Sequence, residues 1–161
     1  MASTLTVDNI VGATTAANVK LPAGCVVQTV SANGGNSAVS FTGSSYTDIS
    51  LSASITPKYA TSKILVKFNF VSASNNSGAG SYQNQARILR GSTSIYEVAR
   101  SPWGNSVSGI GQLMSMEYMD SPSTTSATTY KVQLKNASGS GNVTAHMGSS
   151  NAQVILMEIA Q

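Results

Sequence analysis

The stretch Thr129-Tyr-Lys-Val-Gln-Leu-Lys135 constrains this chain more than any other, because it alternates without a fault. Tyr130, Val132 and Leu134 fall on one side and Lys131, Gln133 and Lys135 on the other. Successive side chains of an extended backbone point to opposite faces, so this is a strand with one dry and one wet face. Gly111 to Met119 carries a weaker version, with Met114, Met116 and Tyr118 opposed to Ser115 and Glu117 and the pattern broken by Leu113 and Met119. A strand covered on both sides, or lying at a subunit contact, reads that way. The connecting Asp120-Ser-Pro-Ser-Thr-Thr-Ser-Ala127 holds Pro122, which lacks a ladder donor, and hydroxyls that cap turns locally. The expectation is a hairpin over residues 107 to 135.

Similar runs recur from Cys25 onward, separated by Gly, Asn, Ser and Pro clusters. They are Cys25 to Ala32, Tyr46 to Leu51, Ile64 to Phe70, Ala86 to Arg90, Ile95 to Ala99, Val143 to Met147 and Gln153 to Ile159. Asn33-Gly-Gly-Asn36 and Gly148 to Asn151 read as turns, and Ser54-Ile-Thr-Pro57 as a corner. Val154-Ile-Leu-Met157 is apolar without interruption, as a central strand covered on both faces would be. Roughly nine strands and no helical period point to an all-β, antiparallel β-sandwich, jelly-roll-like first and immunoglobulin-like second.

Residues 1 to 24 differ from the rest. Leu5, Val7 and Ile10 are apolar around Thr6 and Asp8, and a small-residue stretch leads to Lys20-Leu-Pro-Ala-Gly24. One short amphipathic strand cannot make a core alone. The division is therefore an extended N-terminal docking arm over 1–24 and a β-sandwich knob over 25–161, with Leu5, Val7 and Ile10 as the docking residues.

Charged side chains make up only 9% of the 161 residues, against roughly 25% in an ordinary domain. The nine Lys and Arg give a net charge of +3 but are scattered, without a basic stripe or an aromatic platform, which argues against nucleic acid. No apolar run approaches membrane-spanning length, and the first residues lack the basic and apolar regions of a signal peptide. A single cysteine, Cys25, excludes an intrachain disulfide or a multi-cysteine metal site and reads as a buried, inert thiol. His146, the sole histidine, reads as a polar face residue on a strand. Of the six carboxylates, Glu117 and Asp120 stand three apart and so on opposite faces, which is not the facing pair that glycoside hydrolysis needs. Arg87 and Arg90 likewise face opposite sides and form no anion site. The reading is a non-enzyme with no cofactor and no metal. Tyr82 and Trp103, both in expected loops, are the candidate receptor contacts, since loop aromatics can stack on sugar rings.

Certain phrases are similar as a set to a known family. They include Ser3-Thr-Leu-Thr-Val-Asp-Asn-Ile10, Leu21-Pro-Ala-Gly-Cys-Val-Val-Gln28, Leu51-Ser-Ala-Ser-Ile-Thr-Pro57, Arg87-Ile-Leu-Arg-Gly-Ser-Thr93 and the terminal Ile155-Leu-Met-Glu-Ile159. Together they resemble the small tail-fibre-like virion proteins of tailed phages that infect aquatic bacteria. The resemblance implies a structural protein on the particle exterior, with a short attachment segment and a β-rich knob, and it brings no catalytic residues. Expected partners are other virion proteins (a tail adaptor or the major capsid protein) through residues 1–24, a host surface glycan, and sister copies in a homotrimer inferred from fold type. No heptads or β-repeats of a fibre shaft are present. A fibre-like knob for host attachment and a capsid decoration protein both remain open.

Overall fold

A computed structural model describes residues 21–34, 37–75, 84–100, 110–137, 142–146 and 152–161. The virion-docking residues Leu5, Val7 and Ile10, and the aromatics Tyr82 and Trp103, lie outside the described residues. The described residues form ten strands: β1 Val26–Asn33, β2 Val39–Thr42, β3 Thr47–Ile55, β4 Lys63–Asn75, β5 Asn84–Arg90, β6 Thr93–Arg100, β7 Ile110–Asp120, β8 Thr128–Asn136, β9 Asn142–Ala145 and β10 Gln153–Ile159. There is no helix among the described residues.

The strands make two antiparallel sheets. One, the wide sheet, is built on β4, which pairs with β7 along one edge, Ile64 to Ser74 against Asp120 to Ile110. Its other edge takes β10 at Lys63 to Asn69 and β9 at Ser72 to Asn75. Beyond these, β1 pairs with β10 and β2 with β9. The second sheet runs β3-β8-β5-β6. Thus β9 and β10 are two halves of one strand position, and β1 and β2 two halves of the next. With those halves merged, the wide sheet reads β1/β2, β9/β10, β4, β7, and each chain passage except the β5–β6 hairpin crosses between sheets. That is the jelly-roll order.

The cause is the period-two pattern. Inward positions of β4 (Ile64, Val66, Phe68, Phe70) meet Tyr130, Val132 and Leu134 of β8, Ile49, Leu51 and Ile55 of β3, and Met114 and Met116 of β7 in one buried core. Each fully buried aliphatic or Phe side chain is worth about 1.5–3 kcal/mol, so the dry faces hold the sheets together. At one open side, the Tyr96 and Tyr118 rings stack with centroids 5.5 Å apart and tie β6 to β7.

Several sequence expectations are corrected. The two limbs of the expected 107–135 hairpin lie in different sheets, β7 beside β4 and β8 between β3 and β5. Both have a dry face, but the dry faces oppose each other across the core, and Asp120–Ala127 is the crossover. β1 and β2 run the same way, as do β9 and β10; the expected turn Gly148 to Asn151, and Gly35 and Asn36 of the other, lie outside the described residues. β2 carries only four residues and was not anticipated as a strand. β10 is central as expected, yet Ile155, Met157 and Ile159 on its outer face are only half-buried. Cys25 is also half-buried, its backbone engaged with Pro22 and Ala160.

His146 departs furthest. It is not a face residue on a strand but a buried side chain just past β9, in a left-handed backbone conformation (φ 61°). Its ring Nε2 donates to the Ile49 carbonyl at 2.6 Å, and its amide donates to the Val71 carbonyl. Ile49 precedes Ser50, another residue with positive φ (56°), where the β3–β8 register shifts between Asp48 and Ser52. The breaks in two strand positions of one sheet and the bulge in the other thus lie at one level, joined by this imidazole.

Candidate functional site

The sandwich presents two outer faces, one polar and one that mixes apolar with polar side chains. On the β3-β8-β5-β6 sheet, outward side chains form cross-strand rows. Asp48, Gln133, Arg87 and Glu97 stand side by side, and Ser52 is opposite Lys131. These residues satisfy one another. Lys131 Nζ reaches Asp48 Oδ2 at 3.0 Å, Arg87 Nε donates to Gln133 Oε1 at 2.9 Å, and Ser54 and Thr129 share a hydroxyl bond of 2.7 Å. The Ser50 bulge opens a shallow depression lined by Asp48, Ser50, Leu51, Ser52, Lys131 and Val132.

Tyr46 leads into β3 at one end of this face. The Arg87 guanidinium lies 4.0 Å and Lys135 Nζ 4.4 Å from its ring centroid, contacts that hold both cations by the ring quadrupole. The phenol oxygen is buried with no hydrogen-bond partner among the described residues. Burial first, and then the charge of Glu97, push the phenol up to about 12. It is neutral at any physiological pH.

The outer face of the wide sheet mixes apolar rows with polar ones, such as Asn33, Gln153, Asn69 and Ser115 side by side. Met157, Leu65 and Met119 form one row across β10, β4 and β7, Val71 is opposite Leu113, and Val26 is opposite Ile159. Leu113 is 67% exposed, Val26 50% and Met119 44%. One ion pair, Lys67–Glu117 at 2.8 Å, crosses the middle. The irregular reading of β7 in the sequence has this origin: its non-core side is an exposed face that still carries Leu113 and Met119.

Among the described residues two carboxylates are buried, and both brace the fold. Asp120, at the end of β7, accepts from Tyr130 Oη at 2.7 Å and from Arg90 Nη1 at 2.9 and 3.0 Å, which joins the sheets. Burial, reinforced by the Asp120 hydrogen bond, drives the Tyr130 phenol well above its ordinary range. Glu158 of β10 accepts from the amides of Lys58 and Tyr59 and from Gln28 Nε2, fastening the 56–62 corner. As expected, Glu117 and Asp120 stand on opposite faces, and so do Arg87 and Arg90. No cluster of three or more His, Cys, Asp or Glu able to hold a metal occurs among the described residues. No helix there is long and apolar enough to cross a membrane.

What the polar face can do chemically is donate and accept hydrogen bonds in a plane. That Tyr46, Asp48 and Arg87 share one face escaped the sequence reading because their rows draw on three separated strands. Only the wet side of Thr129 to Lys135 signalled that face.

No family model matches the chain, and no curated protein matches it. Among solved structures the chain is similar to the VP2 subviral particle of infectious bursal disease virus (TM-score 0.48, 14% identity, covering 84% of this chain and 34% of that one). It is also similar to the structure of infectious bursal disease virus Gx strain (TM-score 0.45, 14% identity, 83% and 32% covered) and to T=1 particles derived from that virus (TM-score 0.43, 15% identity, 84% and 37% covered). The chain spans about a third of the length of each.

Proposed function

We propose that this chain is a non-enzymatic structural protein on the exterior of a tailed-phage particle, a sandwich tethered through residues 1–24 that serves host attachment. The observation that carries the reading is the contrast between the two outer faces. A body with exposed apolar side chains such as Leu113, Val26 and Met119 on one face and a self-satisfied polar face on the other is suited to sit against protein on one side and present the other to water. The resemblance of its phrases to tail-fibre-like proteins supplies the setting. The presented face, with hydroxyls, amides and paired charges in rows, is chemically suited to a host surface glycan.

The test is adsorption. Purified full-length protein is expected to bind host cells and to block phage adsorption in competition. If it does neither at concentrations well above phage titre, attachment is wrong.

A second reading is favoured by the apolar row Met157-Leu65-Met119, which could seat the body on a shell as a capsid decoration protein. Loss of residues 1–24 would then abolish loading onto heads, and particles lacking the protein would be fragile. Heads of unchanged stability would exclude it.

A further inference from the structure

From the free edge of β7 we infer that the chain pairs with a second copy of itself, β7 against β7, about a two-fold axis at Met116. Among the described residues β7, an 11-residue strand, pairs with β4 alone, and none of them matches the backbone donors and acceptors of its other edge. Long edges of this kind are templates for another strand, and natural folds blunt them with charge, proline or a covering element. Between Gly111 and Met119 the only charged side chain is Glu117, which is already engaged by Lys67, and no proline is present.

The occupant follows from the register. Side chains directly opposite in an antiparallel ladder share a face, so the outward residues Leu113, Ser115, Glu117 and Met119 must meet outward residues. Centring the axis on Met116 sets Leu113 against the partner's Met119, and Ser115 against the partner's Glu117. Centring on Ser115 instead would set Leu113 against Glu117. Centring on Glu117 would bring two like charges face to face, which costs stability. Of these registers only the one at Met116 matches apolar with apolar, and axes at Leu113 or Met119, which would set each against its own copy, pair less of the strand.

That register also extends a pattern within each copy. Because Met119 is opposite Leu65 and Met157, and Leu113 is opposite Val71, pairing creates a row Met157, Leu65, Met119, the partner's Leu113 and the partner's Val71. Its symmetry mate runs the other way. An axis normal to the sheet keeps the outer faces of both wide sheets on the same side. The exposed Leu113 and Met119 thereby gain apolar neighbours.

The full chain, reduced so that the free Cys25 forms no bridge, is examined by sedimentation equilibrium and native mass spectrometry. A concentration-dependent dimer is expected. Leu113→Lys places a cation opposite Met119 and should weaken the dimer at least about tenfold, while far-UV circular dichroism stays unchanged because this side chain is exposed. Leu113→Lys with Met119→Glu should restore the dimer and make it salt-sensitive, since each lysine then faces a glutamate. A monomer up to about 100 μM, well above a micromolar dissociation constant, overturns the pairing. So does a trimer, the assembly expected from fold type. If Leu113→Lys tightens association, the axis lies at Ser115 and this register is wrong; if it changes nothing, β7 is not the contact.

Discussion

Replacing Tyr130 by Phe tests how the two sheets are joined. The ring stays in the core and one atom is lost, the hydroxyl that donates to Asp120 Oδ2 at 2.7 Å. A buried hydrogen bond to a charged acceptor is worth about 1.5–3 kcal/mol. Asp120 keeps Arg90 at 2.9 and 3.0 Å, so the carboxylate is not stranded, and the expected loss lies in the lower half, about 2 kcal/mol. For a domain of this size that lowers Tm by about 4–8 °C. The pH dependence gives a second readout. The folded phenol is held above its ordinary 10.0, so above pH 10 the unfolded chain releases a proton that the folded chain retains. Wild-type stability should be insensitive to this group below pH 10 and fall as pH rises beyond it. The variant should show a shallower alkaline slope, with the Tyr46 contribution remaining between 10.0 and about 12. Urea melts at pH 8 and at steps from pH 9.5 to 11.5 measure both. A loss below about 0.5 kcal/mol, the range of a surface substitution, together with an unchanged alkaline slope, would show that this hydroxyl does not join the sheets.

Two further substitutions probe the other joints. Gly34→Ala builds a Cβ 3.0 Å from Ala152 Cβ and 3.2 Å from Leu51 Cδ1, and should cost about 1–3 kcal/mol in chemical denaturation. Adding Ala152→Gly should recover part of that, and no recovery would place the strain elsewhere. Glu158→Gln should cost about 2 kcal/mol: its carbonyl can still serve the Lys58 and Tyr59 amides, but its NH2 then meets the Gln28 amide nitrogen, which is also committed to the Thr56 carbonyl. A thermal melt within a degree of wild type would refute this.

Apart from the four-residue β2, the strands' existence, their dry sides and the all-β class were legible in the chain itself. Alternation is local, and each of Ile64 to Phe70, Tyr130 to Leu134 and Val154 to Leu156 must bury one side wherever it lies. Also legible were the separation of Glu117 from Asp120 and the hydroxyl turns after Pro122, where Ser126 N donates to Thr124 Oγ1 at 3.0 Å. Which strands pair was not legible, because a dry face says that a strand covers a core and not from which sheet. For that reason β7 and β8 read as one hairpin, although a shared core and not a shared ladder joins them. His146 escaped for a related reason: its burial depends on the Ile49 carbonyl, 97 residues earlier in the chain. The character of each outer face is likewise a sum over strands distant in sequence. Period two therefore decides which side of each strand is dry, while only tertiary pairing decides which dry sides meet and what the wet sides add up to.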